Sequence, residues 1–134
     1  MFEKYIEYGL HDTAADDIVL EDNGLVFIFG EGVYILDGEG KETVLSAPCK
    51  MSVTVENFDK NSLFEHCVFY KCLFGRFSEV DFAEIKSLLQ KNRFDIDLDF
   101  YSPFARTISL KGHIGKYMVE IQIGEIQAIT FEEI

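Results

Sequence analysis

The 134-residue chain has no tryptophan, two prolines and three cysteines. With prolines only at Pro48 and Pro103, there is no proline-rich linker to divide it. Three thiols (Cys49, Cys67 and Cys72) cannot close a complete disulfide framework. Residues Met1–Glu7 lack the basic start and apolar stretch of a secretion signal. The expectation is reduced cysteines in a cytoplasmic protein. Long apolar runs are absent too. Leu25–Phe29 is only five residues long, whereas a spanning helix takes about 20, so no membrane partner is expected. Positive charge is scarce, with 12 basic residues against 24 acidic ones and a net charge of −12. Phosphate recognition needs clustered Lys and Arg, so no nucleic-acid partner is expected.

What is present is globular. Apolar residues make up 48% and charged residues 27%, values under which a chain buries a core. The length suits a single globular domain over residues 1–134.

Period-two alternation dominates. Phe94-Asp95-Ile96-Asp97-Leu98-Asp99-Phe100 alternates apolar and acidic residues without a miss. This predicts a half-buried strand with Phe94, Ile96, Leu98 and Phe100 inside and the three aspartates in water. Met51, Val53 and Val55, then Ile108 and Leu110, then Tyr117, Val119, Ile121 and Ile123 alternate in the same way. Asp22-Asn23-Gly24 predicts a type I′ hairpin turn. Residues 14–47 read as a meander, and Gly124-Glu125 as a hairpin or sharp bend. Residues 66–74 are apolar on both beats, which predicts a central strand covered by a helix on one side and a second sheet on the other. One segment has helical spacing: Phe82, Ile85, Leu88 and Leu89. It predicts one main helix at about residues 79–92, with Ser78 or Asp81 as N-cap and Asn92 closing it in the left-handed conformation. Residues 2–8 could add a helical turn. The fold class is therefore α+β, mostly antiparallel β, as a sandwich or partly closed barrel-like sheet.

Candidate chemistry is sparse. His11-Asp12 offers a general base or the polar group of a pocket, but adjacent residues on an extended chain point apart. His66, Cys67 and Cys72 lack the second ligand pair of a zinc site. Asp95, Asp97 and Asp99 lack the glycine and the twelfth-position glutamate of a calcium loop. No metal and no cofactor are expected. The aspartates can instead guard a sheet edge or pair with Arg106 and Lys111 downstream. Gly30-Glu31-Gly32 and Gly38-Glu39-Gly40 open no helix and carry acids that repel phosphate.

Charge is the stronger signal. Residues 1–42 hold 11 acidic and two basic residues, 2 − 11 = −9 of the total of −12. Asp12, Asp16, Asp17, Glu21 and Asp22 form the densest part. They are either a solvated face or a docking face for a basic protein, with Tyr8 and Tyr34 as candidate aromatic anchors. The competing reading is a small-molecule binding protein or enzyme with a pocket in the sheet, centred on His11 or His66.

The segment Tyr8-Gly9-Leu10-His11-Asp12, followed by Asp22-Asn23-Gly24 and Leu25–Phe29, resembles a group of small bacterial β-rich proteins. They open with a His-Asp pair, run into a hairpin and close with a strand like Tyr117–Phe131. Some related families are immunity proteins of polymorphic toxin loci. The resemblance implies a β-rich domain without known catalysis and with a toxin partner, and assigns no catalytic or ligand residue; the acidic face suits a basic toxin such as a nuclease.

Overall fold

The structure, a computed structural model, describes residues 8–134. It is an α+β arrangement dominated by antiparallel strands, whose sheets do not close into a barrel. In chain order the strands are β1 Tyr8–Gly9, β2 Thr13–Ala15, β3 Asp17–Glu21, β4 Gly24–Phe29, β5 Tyr34–Leu36, β6 Glu42–Leu45 and β7 Cys49–Val55. A 3-10 turn at Leu63–Glu65 leads to β8 Cys67–Leu73 and β9 Arg76–Val80. Helix α1, Phe82–Leu89, is followed by β10 Phe94–Ser102, β11 Thr107–Ile114, β12 Tyr117–Ile123 and β13 Ile126–Glu133.

Three sheets result. A six-stranded sheet has the order β2-β10-β11-β12-β8-β9, a four-stranded sheet β13-β7-β4-β3, and a small one β1-β5-β6. Residues 14–47 are thus not one meander, because β2 joins the large sheet while β3 and β4 join the second. The bend at Gly124-Glu125 carries the chain from β12 in one sheet to β13 in the other.

The core lies between the two larger sheets. Leu110, Ile121 and Phe69 stand in register across β11, β12 and β8. Phe27 and Met51 stand in register across β4 and β7. All five are buried in one apolar cluster. Burying such side chains stabilises by about 1.5–3 kcal/mol each.

Helix α1 is shorter than its periodicity suggests. Residues 79 and 80 belong to β9, and the helix starts after Asp81, whose carboxylate accepts the Glu84 N–H at 2.9 Å. Ile85 and Leu89 face the core, and the Phe82 ring meets Phe69 at 5.7 Å between centroids. Asn92 does not close the helix in the left-handed region; Gln90, itself α-helical in φ and ψ, is the C-cap.

The β3–β4 hairpin forms, but its central residues Asp22 and Asn23 do not take the positive φ of a type I′ turn. Gly24 serves another purpose. A Cβ there would lie 1.9 Å from the Val53 carbonyl oxygen on the neighbouring strand. β8 is paired on both sides, by β12 and β9, yet among the described residues no second sheet covers its outer face, where Val68 and Tyr70 remain half-buried. The helical turn expected at residues 2–8 falls mostly outside the described residues, and residue 8 begins β1.

Candidate docking face

The nine-residue strand β10 changes sides midway. Phe94 and Ile96 are buried as their alternation predicts. The register then slips between Ile96 and Leu98: Ile96 pairs with Gly112, while Leu98 pairs with the next residue, Lys111. One extra residue, Asp97, is bulged out. From that point the pattern inverts, because a one-residue slip moves every following side chain to the other face. Leu98 and Phe100, expected inside, are 60% and 69% exposed. Asp99 turns to the inner side opposite Leu110 and is half-buried.

Gly112 makes the bulge possible. A Cβ at this position would lie 1.8 Å from the Asp95 carbonyl oxygen. A glycine inside an otherwise regular strand pattern signals close backbone approach or a bulge, and this was the sequence signal for the inversion.

The outer face of the six-stranded sheet can be read from the registers. One row runs Leu98, Lys111, Glu120, Tyr70, Glu79. Another runs Phe100, Ser109, Gln122, Val68. A third runs Asp95, His113, Met118, Cys72, Phe77. Met118 and Phe77 are 47% and 56% exposed, and Phe104, in the turn after β10, is fully exposed. Leu98 and Phe100 are neighbours on β10, while Met118 and Phe77 lie two and four strands away on the same face; exposed large apolar side chains that adjoin mark interaction surfaces. Carboxylates border them: Asp97 contacts His113 Nδ1 at 2.9 Å, and Asp95 stands beside it on the same strand. Arg106 and Lys111 each meet a glutamate. They bind Glu56 at 2.9 Å and Glu120 at 3.7 Å.

Of the five acids expected to form a face, three are engaged in ion pairs at the surface. Asp16 accepts the Gly30 N–H at 2.7 Å and lies 3.9 Å from Arg93. Asp17 binds Lys86 of α1 at 2.7 Å. Asp22 binds Lys60 at 2.8 Å, which holds its carboxyl below the ordinary carboxylate range. Asp16 and Asp17 are therefore not freely exchangeable surface charges. Glu21 is exposed at the end of β3. Only Asp12 and Tyr34 come together. They border a cavity of about 270 Å³ with Arg93, Asp95 and Asp97. The ion pair with Glu31 raises the affinity of Arg93 for its proton.

Tyr8 is no free anchor, since its half-buried ring packs on Phe131 with centroids 4.5 Å apart. His11 and Asp12 do touch, at 3.3 Å, because they sit in a turn where Asp12 takes φ 60° rather than on an extended strand. Both side chains are largely in solvent.

A cavity of about 550 Å³ lies between α1, β8 and the 3-10 turn, and is bordered by Leu20, Leu63, Phe64, Val80 and Phe82. Cys67 also borders it, and burial pushes its thiol up to about 12. It is a poor nucleophile at neutral pH, since the thiolate is the reactive form. All three cysteines are free and buried. Among the described residues, no three His, Cys, Asp or Glu side chains are grouped to hold a metal ion. No helix among them is long and apolar enough to cross a membrane. Compared with family models, curated proteins and solved structures, the chain matches none.

Proposed function

We propose that the protein is a non-enzymatic binding domain that docks a basic protein on the outer face of its six-stranded sheet. One observation carries this reading: the bulge at Asp97 turns Leu98 and Phe100 outward, where a regular continuation of the alternation would have buried them. Bulges re-aim side chains, and exposed aromatics are the usual anchors of protein interfaces. The acidic surroundings favour a cationic partner and speed its encounter. A nuclease toxin is such a partner, since its own substrate is anionic, and it agrees with the resemblance to immunity proteins.

A photo-crosslinking residue placed at Phe100, in cells that make the protein, tests the reading. The expected product is a covalent adduct with one basic protein, absent when the probe sits at Val44 on the small sheet. With that partner purified, Leu98→Asp combined with Phe100→Ser should weaken binding by about tenfold or more. An adduct with a second copy of the chain, or equal labelling from position 44, would overturn it. The second reading, a small apolar ligand, is favoured only by the 550 Å³ cavity under α1. A fluorescent apolar probe displaced from the wild type but not from Val80→Trp would support it.

A further inference from the structure

We propose that a recess at one end of the same outer face receives the guanidinium tip of an arginine. The carrier of that arginine rests on the docking reading above; the recess itself does not. It has a volume of about 290 Å³ and is bordered by His66, Val68, Thr107, Ser109, Gln122 and Gly124.

His66 is the first observation. Its side chain is 5% exposed, and neither ring nitrogen has a hydrogen-bond partner. Buried polar groups without partners are rare in folded proteins and call for an explanation. Nδ1 lies 3.6 Å from a Glu125 carboxylate oxygen. That neighbour favours the proton on Nδ1 and leaves Nε2 as an acceptor with no donor. The Phe58 ring, 6.0 Å away between centroids, packs beside the imidazole.

Backbone strain is the second. Of the five non-glycine residues with positive φ among those described, Asn57, Arg106 and Glu125 lie at this corner. Hydrogen bonds knit it: Gly124 N–H to the His66 carbonyl at 2.8 Å, Glu56 N–H to Glu125 at 2.9 Å, and Ile126 N–H to Arg106 at 3.0 Å. Such backbone is strained and concentrates at functional sites.

The chemistry of the walls selects the guest. The Gln122 amide nitrogen donates to Glu120, which leaves the Gln122 carbonyl oxygen as an acceptor. Thr107 and Ser109 add hydroxyl oxygens. The nearby charges are Glu56 with Arg106, Glu120 with Lys111, and Glu125. The first two carboxylates are paired with Arg or Lys, whereas Glu125 has only His66 beside it among the described residues. The recess therefore holds an acceptor without a donor at His66 Nε2 and a negative charge beside it at Glu125. A guanidinium answers both in a flat group with five N–H donors, whereas an ammonium is a compact point charge.

The test titrates the protein with N-acetyl-arginine amide, its lysine counterpart and the neutral citrulline isostere. The His66 ring nitrogens and the Gln122 side-chain amide are followed by NMR. With concentrations up to about 50 mM, a millimolar site saturates. The expected result is a saturable shift with the arginine derivative, at least about fivefold weaker binding of the lysine one, and none with citrulline. Glu125→Gln should abolish it, and Leu98→Asp should leave it intact. Citrulline binding as well as arginine, or no saturable shift with any probe, would overturn the proposal. Loss of the arginine response with partner docking retained sinks the recess alone. The converse sinks the docking reading alone.

Discussion

Strands β7 and β10 look alike in length and alternation but divide their side chains differently. β7 keeps Cys49, Met51, Val53 and Val55 in the core along its whole length. β10 gives the core only Phe94 and Ile96, then presents Leu98 and Phe100 to solvent. β7 is flanked by β4 and β13 and serves packing alone. Among the described residues, β10 has a full neighbour in β11 but only the three-residue β2 on its other side. With β11 as the strand beside its second half, it can bulge and place two large side chains on the surface.

The largest test of this contrast is truncation at matched positions. Phe94→Ala should destabilise by about 3–5 kcal/mol and Met51→Ala by about 2–5 kcal/mol, read by chemical denaturation. Gly112→Ala should follow, at about 1–3 kcal/mol, because the new methyl meets backbone at the bulge rather than a side chain that can move. A melting temperature unchanged in Gly112→Ala would mean that the bulge is not held by this close approach.

Next comes pH. The Cys67 thiol is raised from an ordinary 9.0 to about 12 by burial. The unfolded chain therefore loses this proton first. The contribution is fully present below about pH 9 and is lost as pH rises toward 12, with a slope of up to about 1.4 kcal/mol per pH unit. Urea midpoints between pH 8 and 11 measure it, and Cys67→Ala should flatten the fall. Asp17→Asn, which weakens the partly exposed pair with Lys86, should cost less than about 1 kcal/mol. Leu98→Ser should be the smallest, under about 0.5 kcal/mol, since Leu98 is on the surface. A cost near that of Met51→Ala would place Leu98 back in the core.

Most of the architecture was legible because alternation reports burial directly. Ile108, Leu110, Val119 and Ile121 are all inside, as their beat requires. The bulge was not legible from the same beat, since Phe94–Phe100 alternates perfectly through it. Only Gly112, on another strand, hinted at it. The acids of the first third were legible as charge but not as partners. Lys60, Lys86 and Arg93 lie 38 to 77 residues away from Asp22, Asp17 and Asp16, and only the fold brings them together. His11 and Asp12 touch because of one left-handed residue, which composition cannot show.

The bend at Gly124-Glu125 has a consequence for how the chain reaches this state. β12 and β13 are neighbours in sequence but complete different sheets, and β13 pairs with β7, some seventy positions earlier, as Ile129 with Val53. During synthesis, β7 must wait for that last strand with one edge unpaired, beside the uncharged Leu25–Phe29 run of β4. Distant pairings of this kind fold slowly, over milliseconds to seconds, and bare edges next to apolar strands recruit other chains in the meantime. Yield of soluble protein should therefore fall when translation is slowed, because the emergence of β13 is the step that ends the exposure.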